Sequence, residues 1–191
     1  MKTKAEKVLV IGLDAAPPEL VFEEFRDELP NLRKMMQNGV YARMESSHPP
    51  ITIPAWMVMA TGKSMGKLGL YGFRHRKPGT YNDMWIASSL SVKEKTVWDI
   101  LGENGKKVIV VGVPPTYPPK PVNGCLISCF ITPSTEKDYT YPRQLKNEIE
   151  NLVGEYIIDV VFRTEERDRL LKQLYEMTEK RFKVIEYLMT N

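Results

Sequence analysis

Short runs of apolar residues, rich in β-branched side chains, recur along the chain and predict buried strands. The first run covers residues 7–16, Lys-Val-Leu-Val-Ile-Gly-Leu-Asp-Ala-Ala, and contains the carboxylate of Asp14 near its end. This pattern is typical of a buried central strand in an α/β sheet, with Asp14 at its carboxyl end. Further strands are predicted at residues 40–45, 107–113, 123–131 and 156–162.

Between these runs, apolar residues recur with the periodicity of a helix. Residues 30–39 place Leu32, Met35 and Met36 on one face and stop at Gly39. Other helices are predicted at residues 17–25, from Pro54 to Thr61, and at 91–105, 142–153 and 164–189. Because strands alternate with helices, we expect an α/β fold with a mostly parallel central sheet, flanking helices and right-handed crossovers. A single domain is predicted over residues 1–191.

Two stretches follow neither pattern. Residues 114–121 hold five prolines and predict a stiff surface excursion near a strand end. Residues 74–91 are irregular and begin with four potential cations, Arg74-His75-Arg76-Lys77. An arginine fork suits a substrate phosphate, so Arg74 and Arg76 are candidate binding residues. A solvated loop is the stronger interpretation of the same run, because clustered charges are normally exposed.

The most informative stretch lies around Thr52. Pro49 and Pro50 hold the chain extended, and Pro54 suits the first turn of a helix, where a missing N–H costs nothing. Thr52 then falls at or beside the N-cap, with its hydroxyl at the positive end of the helix, where backbone N–H groups receive anions. A plain N-cap threonine is the alternative, and Asp14 could likewise simply cap the helix that begins near Pro17.

Composition narrows the classes of function. A formal charge of +3 over 191 residues does not indicate nucleic-acid binding. No run reaches the roughly 20 apolar residues that span a bilayer, and no signal peptide is evident, so we predict a soluble, cytoplasmic protein. Cys125 and Cys129 lie about 13 Å apart on one strand and are predicted to be buried free thiols. The abundance of Lys and Glu is compatible with a thermophile.

Taken together, these segments resemble the type I phosphodiesterase/nucleotide pyrophosphatase family of the alkaline-phosphatase superfamily. The matching motifs are Gly12-Leu13-Asp14, Thr52-Ile-Pro-Ala-Trp56, Thr61-Gly62 and Gly69-Leu-Tyr-Gly72. The resemblance implies an alkaline-phosphatase-like fold, a phosphodiester or nucleotide substrate and two divalent metal ions, zinc or similar. It also implies that Asp14 ligates a metal, and that Thr52 is both a metal ligand and the nucleophile that becomes phosphorylated.

The resemblance covers the nucleophile-bearing part of such a site. The family takes its remaining metal ligands, several of them histidines, from its C-terminal half, whereas this chain has only His48 and His75. We therefore expect an amino-terminal portion of an enzyme with an incomplete C-terminal half, which alone could be inactive. The asparagine that commonly contacts phosphate in the family aligns with Phe73.

Two alternatives stay open at this point. The chain could be a non-catalytic α/β module that keeps the anion pocket at Thr52 and binds a phosphate-bearing ligand or partner. It could also be a phosphomonoesterase or phosphomutase of the same superfamily. The apolar helix near residues 164–189 makes the chain a candidate for self-association into a homo-oligomer.

Overall fold

The computed structural model describes residues 7–190, and these residues divide into two compact units with their boundary between Ser46 and Ser47. In the first unit, a short π-helical segment at Glu19–Glu24 precedes helix α1 at Pro30–Asn38. Proline at the start of α1 and Gly39 after its end place this helix where the sequence predicts it. Arg43 forms ion pairs with Glu19 and Glu23, and these contacts tie the end of the first unit to its π-helical segment.

The strands predicted in the first unit are absent. Residues 7–13 and 40–45 form no strand, and the side chains of Val8 and Val10 are 81% and 74% exposed. The prediction of a buried central strand ending at Asp14 is therefore wrong for this structure. Apolar composition alone does not make a strand, because the backbone N–H and C=O groups of a strand need partners on a neighbouring strand.

The second unit contains most of the regular structure. In chain order its elements are α2 (Thr52–Thr61), α3 (Met65–Leu68), β1 (Arg74–Arg76), β2 (Met84–Ile86), a 3₁₀ turn (Ser89–Ser91), α4 (Val97–Glu103), β3 (Val108–Val111), β4 (Gly124–Ile127), β5 (Thr140–Tyr141), α5 (Leu145–Val153) and α6 (Arg167–Thr190). Most of the predicted helices and two of the predicted strands are thereby confirmed, although their bounds differ: α2 begins two residues earlier than predicted, and α4 covers only the middle of the predicted range.

The sheets are smaller than predicted. Strand β3 pairs in parallel with β4, and β4 pairs antiparallel with the short β5. Strands β1 and β2 form a separate antiparallel hairpin in the stretch that looks irregular from sequence. A mixed α/β architecture is confirmed, but the mostly parallel central sheet is not. The strand predicted at 156–162 forms no ladder either, although Tyr156 and Ile158 are buried.

Two separate hydrophobic clusters hold the second unit together. The first is built around α2, with Ile53 and Met57 almost fully buried, and includes Leu70 and Ala87. The second gathers Ile127 of β4, Ile149 of α5 and Val184 of α6, together with Tyr156 from the segment that follows α5. At about 25 cal/mol per Å² of apolar surface, such burial is the main force that fixes α2 and the β3–β4 pair in place.

The proline-rich segment begins packed inward, whereas its last two residues, Lys120 and Pro121, are exposed, so the predicted surface excursion holds only for its end. Pro114, Pro115 and Thr116 are buried. The Ser89 N–H donates to the Tyr117 carbonyl at 2.8 Å, and Lys120 Nζ donates to the carbonyl of Val92 at 3.3 Å. Because proline leaves its carbonyl free while lacking an N–H, an extended proline-rich chain can accept hydrogen bonds from a neighbouring turn without joining a sheet.

Candidate functional site

Thr52 is the first residue of α2, so the prediction that it lies at or beside the N-cap is confirmed. The first intrahelical hydrogen bond runs from the Ala55 N–H to the Ile51 carbonyl at 3.0 Å. The N–H groups of Thr52 and Ile53 therefore precede the hydrogen-bonded turns, and Pro54 has no N–H to satisfy. The positive end of the helix dipole therefore lies beside a threonine hydroxyl.

Burial of one face of α2 in the first hydrophobic cluster fixes the orientation of this helix. Ile53, Met57 and Ala60 are at most 5% exposed, whereas Thr52 is half-buried. At the other end Gly62 adopts φ 65°, a left-handed conformation that favours glycine. The Gly62 N–H closes the helix on the Val58 carbonyl at 2.9 Å. Thr52 consequently sits at the rim of a rigid helix whose next residue is already in the core.

Asp14 belongs to the first unit, where it occupies a turn directly after the exposed apolar run. The following residue, Ala15, has a φ of 53°, a left-handed conformation that costs a non-glycine residue about 1–2 kcal/mol. Backbone strain of this kind is frequent at functional sites, where surrounding structure holds it in place. The predicted convergence of Asp14 and Thr52 on one pocket stays a prediction, because each residue is described within its own unit.

Arg74 and Arg76 lie on the exposed face of the β1–β2 hairpin. Their cross-strand partners, Ile86 and Met84, are exposed as well. The opposite face carries Trp85, which packs against the first hydrophobic cluster. The Arg76 guanidinium donates to the Tyr81 carbonyl and so helps to close the hairpin loop. Unlike Arg76, the Arg74 guanidinium makes no hydrogen bond or ion pair with residues 7–190.

His75 is not the cation that the sequence suggests. Its ring stacks on Trp85 at a centroid distance of 4.2 Å, and its Nε2 accepts a hydrogen bond from the Tyr71 N–H at 2.9 Å. Burial lowers the pKa of His75, so the imidazole is neutral at neutral pH, with the proton on Nδ1. Nε2 is occupied by the hydrogen bond from Tyr71, and Nδ1 is buried. The role of His75 is therefore structural, because it links the hairpin to the loop that precedes it.

The acidic, histidine and cysteine side chains do not gather into a metal centre within the described residues. Between residues 7 and 190, no three His, Cys, Asp or Glu side chains come together in a group that could hold a metal ion. The described side chains therefore do not fit the complete two-metal set that the resemblance implies. Cys125 and Cys129 are free thiols, half-buried and buried respectively, as predicted.

Sequence reasoning missed a cluster of buried hydroxyl groups after β3 and β4. The hydroxyl groups of Ser128 and Thr132 are 2.7 Å apart, and Thr132 Oγ1 donates to the Cys129 carbonyl. The Cys129 N–H donates in turn to Thr116 Oγ1 at 3.1 Å. The cluster lies beyond the carboxyl ends of the two parallel strands, where open α/β sheets bind ligands. Ser and Thr directly after an apolar run are the signal that points to it.

Beside this cluster lies a small cavity lined by side chains that include Met57, Asp99, Thr116 and Lys120. Its volume of about 40 Å³ suits roughly one water molecule and is far too small for a nucleotide. Burial lowers the pKa of Lys120, with the nearby Asp99 carboxylate acting in the opposite direction. The cavity is therefore a structural feature beneath the proline-rich segment, and it is not a substrate pocket.

Comparison with known proteins adds one finding. A family model described as type I phosphodiesterase / nucleotide pyrophosphatase matches residues 8–190. No curated protein and no solved structure matches this chain. The match spans both units and includes Asp14, Thr52 and the arginines of β1. Of the helices in the described residues, none has the length and apolar character needed to cross a membrane.

Proposed function

The chain belongs to the type I phosphodiesterase/nucleotide pyrophosphatase family, and on this premise we propose that it acts in phosphodiester or nucleotide pyrophosphate hydrolysis with Thr52 as the nucleophile. The observation that carries the proposal is the position of Thr52 at the first residue of α2. A hydroxyl held there lies at the positive end of the helix dipole, which can stabilise the negative charge of a phosphoryl group.

The proposed reaction has two displacements at phosphorus. In the first, Thr52 loses its hydroxyl proton to a base, a bond forms between Oγ1 and phosphorus, and the bond from phosphorus to the leaving alcohol oxygen breaks. The leaving oxygen takes up a proton. In the second, water attacks the phosphorus of this threonyl phosphodiester, the bond between phosphorus and Oγ1 breaks, Oγ1 takes up a proton, and a phosphomonoester is released. The positive end of the α2 dipole supports the charge that builds up in both steps.

Asp14 and Thr52 are proposed as the ligands that this chain contributes to a divalent metal site. When bound, two such ions would supply the Lewis-acid activation that an ordinary hydroxyl needs at neutral pH. The proposal is supported by the family match and by the strained backbone at Ala15. No reaction step is assigned to a metal, because the described residues do not assemble a complete site.

Of the two arginines, Arg74 is the better candidate for contact with a substrate phosphate. Arg76 already donates to the Tyr81 carbonyl, so its replacement would also disturb the hairpin. We expect Arg74→Ala to raise KM for a diester several-fold and to change kcat little, since one exposed charge-assisted contact contributes about 1 kcal/mol.

The experiment measures hydrolysis of p-nitrophenyl thymidine monophosphate with and without added Zn²⁺. Thr52→Ala should reduce the rate to background, while Thr52→Ser, which keeps a hydroxyl, should retain part of it. Thr164→Ala is the matched control, because it removes a threonine that lies just before another helix, where Thr164 Oγ1 accepts from the Glu166 N–H. Full activity in Thr52→Ala would exclude Thr52 as the nucleophile.

A second function is favoured by the lack of a three-ligand metal group in residues 7–190. On this alternative the chain binds a phosphate-bearing ligand at the start of α2 without turning it over. Calorimetric titration with thymidine monophosphate would then show binding that Thr52→Ala weakens, while the hydrolysis assay stays at background for every variant.

A further inference from the structure

Helix α6 has two apolar faces, and of these only one packs against other residues in the described part of the chain. On the first face Val184 is fully buried in the second hydrophobic cluster, and Arg181 donates to the Ile158 carbonyl at 3.0 Å. On the other face Tyr175 and Phe182 are 74% and 58% exposed. At 100° per residue, the side chains of Phe182 and Val184 point about 160° apart. The exposed apolar face is therefore separate from the packed one.

The exposed face follows a heptad repeat. Its members are Leu171, Tyr175, Thr178, Phe182, Ile185 and Met189, spaced alternately four and three residues apart as the a and d positions of a coiled coil are. We call these six residues the α6 seam. Leu171 and Met189 at its ends are about half exposed, and the whole seam is about 27 Å long at 1.5 Å per residue. A stripe of this kind is the surface that two-helix packing buries.

We propose that the α6 seam is a dimer interface, on which α6 of a second copy of this chain packs in the antiparallel direction. The spacing of the seam is the same when read from either end, so it is compatible with this arrangement. Laid antiparallel about its midpoint, the seam matches Leu171 with Met189, Tyr175 with Ile185 and Thr178 with Phe182 of the second copy. Every seam residue then faces another seam residue, as the self-complementary interface of a two-fold dimer requires.

The charges beside the seam favour the antiparallel direction. Lys172, Glu179 and Glu186 flank the same side of the seam, and antiparallel packing places Lys172 of each copy opposite Glu186 of the other. The same register brings Glu179 opposite Glu179 of the second copy, but each Glu179 is already paired with Lys183 of its own chain at 2.9 Å, so the two opposite-charge pairs outweigh this contact. The parallel arrangement would instead bring Arg167 close to Lys172 of the second copy, which is unfavourable. Both signs of charge flank the seam, whereas a helix that lies on a membrane normally carries a basic polar face.

The expected dimer is weak. Tyr175 and Phe182 provide most of the area, since an aromatic side chain can bury about 150–250 Å². With the aliphatic members, the two copies together would bury on the order of 1,000 Å², at the low end for specific interfaces. We therefore expect a dissociation constant on the order of micromolar, and the proposal does not depend on the activity of the site at Thr52.

Sedimentation velocity across a concentration series of the whole chain tests the proposal. The wild-type chain should shift from monomer to dimer as its concentration passes through the micromolar range. Phe182→Glu should shift the midpoint at least ten-fold upward, because it buries a charge in the seam. Phe162→Glu is the matched control: Phe162 is 62% exposed and lies outside the seam, so the midpoint should not move. Circular dichroism confirms that both variants keep their helices.

Charge reversal tests the direction of packing. Lys172→Glu and Glu186→Lys should each weaken the dimer, and the double variant should restore it, because the two cross-copy pairs are then re-formed with exchanged signs. A wild-type chain that stays monomeric at every concentration overturns the proposal, as does equal dimerisation of Phe182→Glu. Monomers that bind vesicles of anionic phospholipid through the seam would likewise overturn it and show a membrane surface as the occupant.

Discussion

The two units of the chain respond differently to similar sequence patterns. Residues 8–13 and residues 108–111 are both apolar and β-branched, and both predict a strand. In the second unit Val108 and Val110 are at most 8% exposed and pair with β4, whereas in the first unit Val8 and Val10 stay exposed without a strand partner. An apolar run is therefore not sufficient to form a strand. A neighbouring strand that pairs with it in matching register is also required.

The largest expected effect comes from replacing matched isoleucines in the two units. Ile127 is fully buried and Ile11 is 62% exposed. Ile127→Ala should lower the free energy of unfolding by about 3–4 kcal/mol, because it leaves a cavity in the second cluster. Ile11→Ala should change it by less than about 0.5 kcal/mol. Urea denaturation followed by circular dichroism measures both.

An equal loss of unfolding free energy in Ile127→Ala and Ile11→Ala would contradict the difference between the two units. It would mean that Ile11 is as well packed in solution as Ile127, and hence that residues 8–13 form the buried strand that the sequence predicts.

A smaller effect is expected from the close approach of β3 and β4. Gly124 has φ 145°, and a Cβ on it would lie 2.0 Å from the Val108 carbonyl oxygen. Gly124→Ala should therefore destabilise the chain by about 2–3 kcal/mol. Gly105→Ala serves as the control, since Gly105 has φ 71° with nothing within 4 Å of the added atom and should cost only about 1 kcal/mol. If the two variants unfold at the same urea concentration, the tight pairing of β3 and β4 is refuted.

The smallest effect concerns pH and the hairpin of the second unit. Burial lowers the pKa of His75 from its ordinary value of 6.5, so the unfolded chain binds a proton there that the folded chain does not. Stability should therefore fall as the pH drops below about 6.5 and be fully regained above it. Chemical denaturation between pH 5 and 7.5 should show this slope, and it should be reduced in His75→Gln, which keeps an acceptor without titrating. An unchanged slope in that variant would assign the dependence to other groups.

These contrasts explain which parts of the fold were predictable. Helix α1 and helix α6 are set by local signals, such as Pro30 at the start of α1 and the apolar periodicity of α6, and both form where expected. The strand at residues 7–16 and the inward packing of Pro114 depend on partners distant in sequence. Periodicity carries no information about such partners.

The candidate site likewise has features that the local sequence predicts and features that depend on contacts distant in sequence. The position of Thr52 follows from the local chemistry of Pro54 and the helix start, and the structure confirms it. The neutral state of His75 depends on Trp85 and the Tyr71 N–H, and these contacts are not visible in the run Arg74-His75-Arg76-Lys77. The hydroxyl cluster after β4 likewise requires two segments to meet, one containing Thr116 and the other running from Ser128 to Thr132.

The most direct test of the account is a search for the covalent intermediate on Thr52. The chain is mixed with p-nitrophenyl thymidine monophosphate and Zn²⁺, quenched in acid, digested and analysed by mass spectrometry for modified peptides. The account predicts a thymidine phosphate ester on Thr52 in the wild-type chain and none in Thr52→Ala. Turnover of the substrate with the ester on another residue, or with no ester while Thr52→Ala stays fully active, would contradict it.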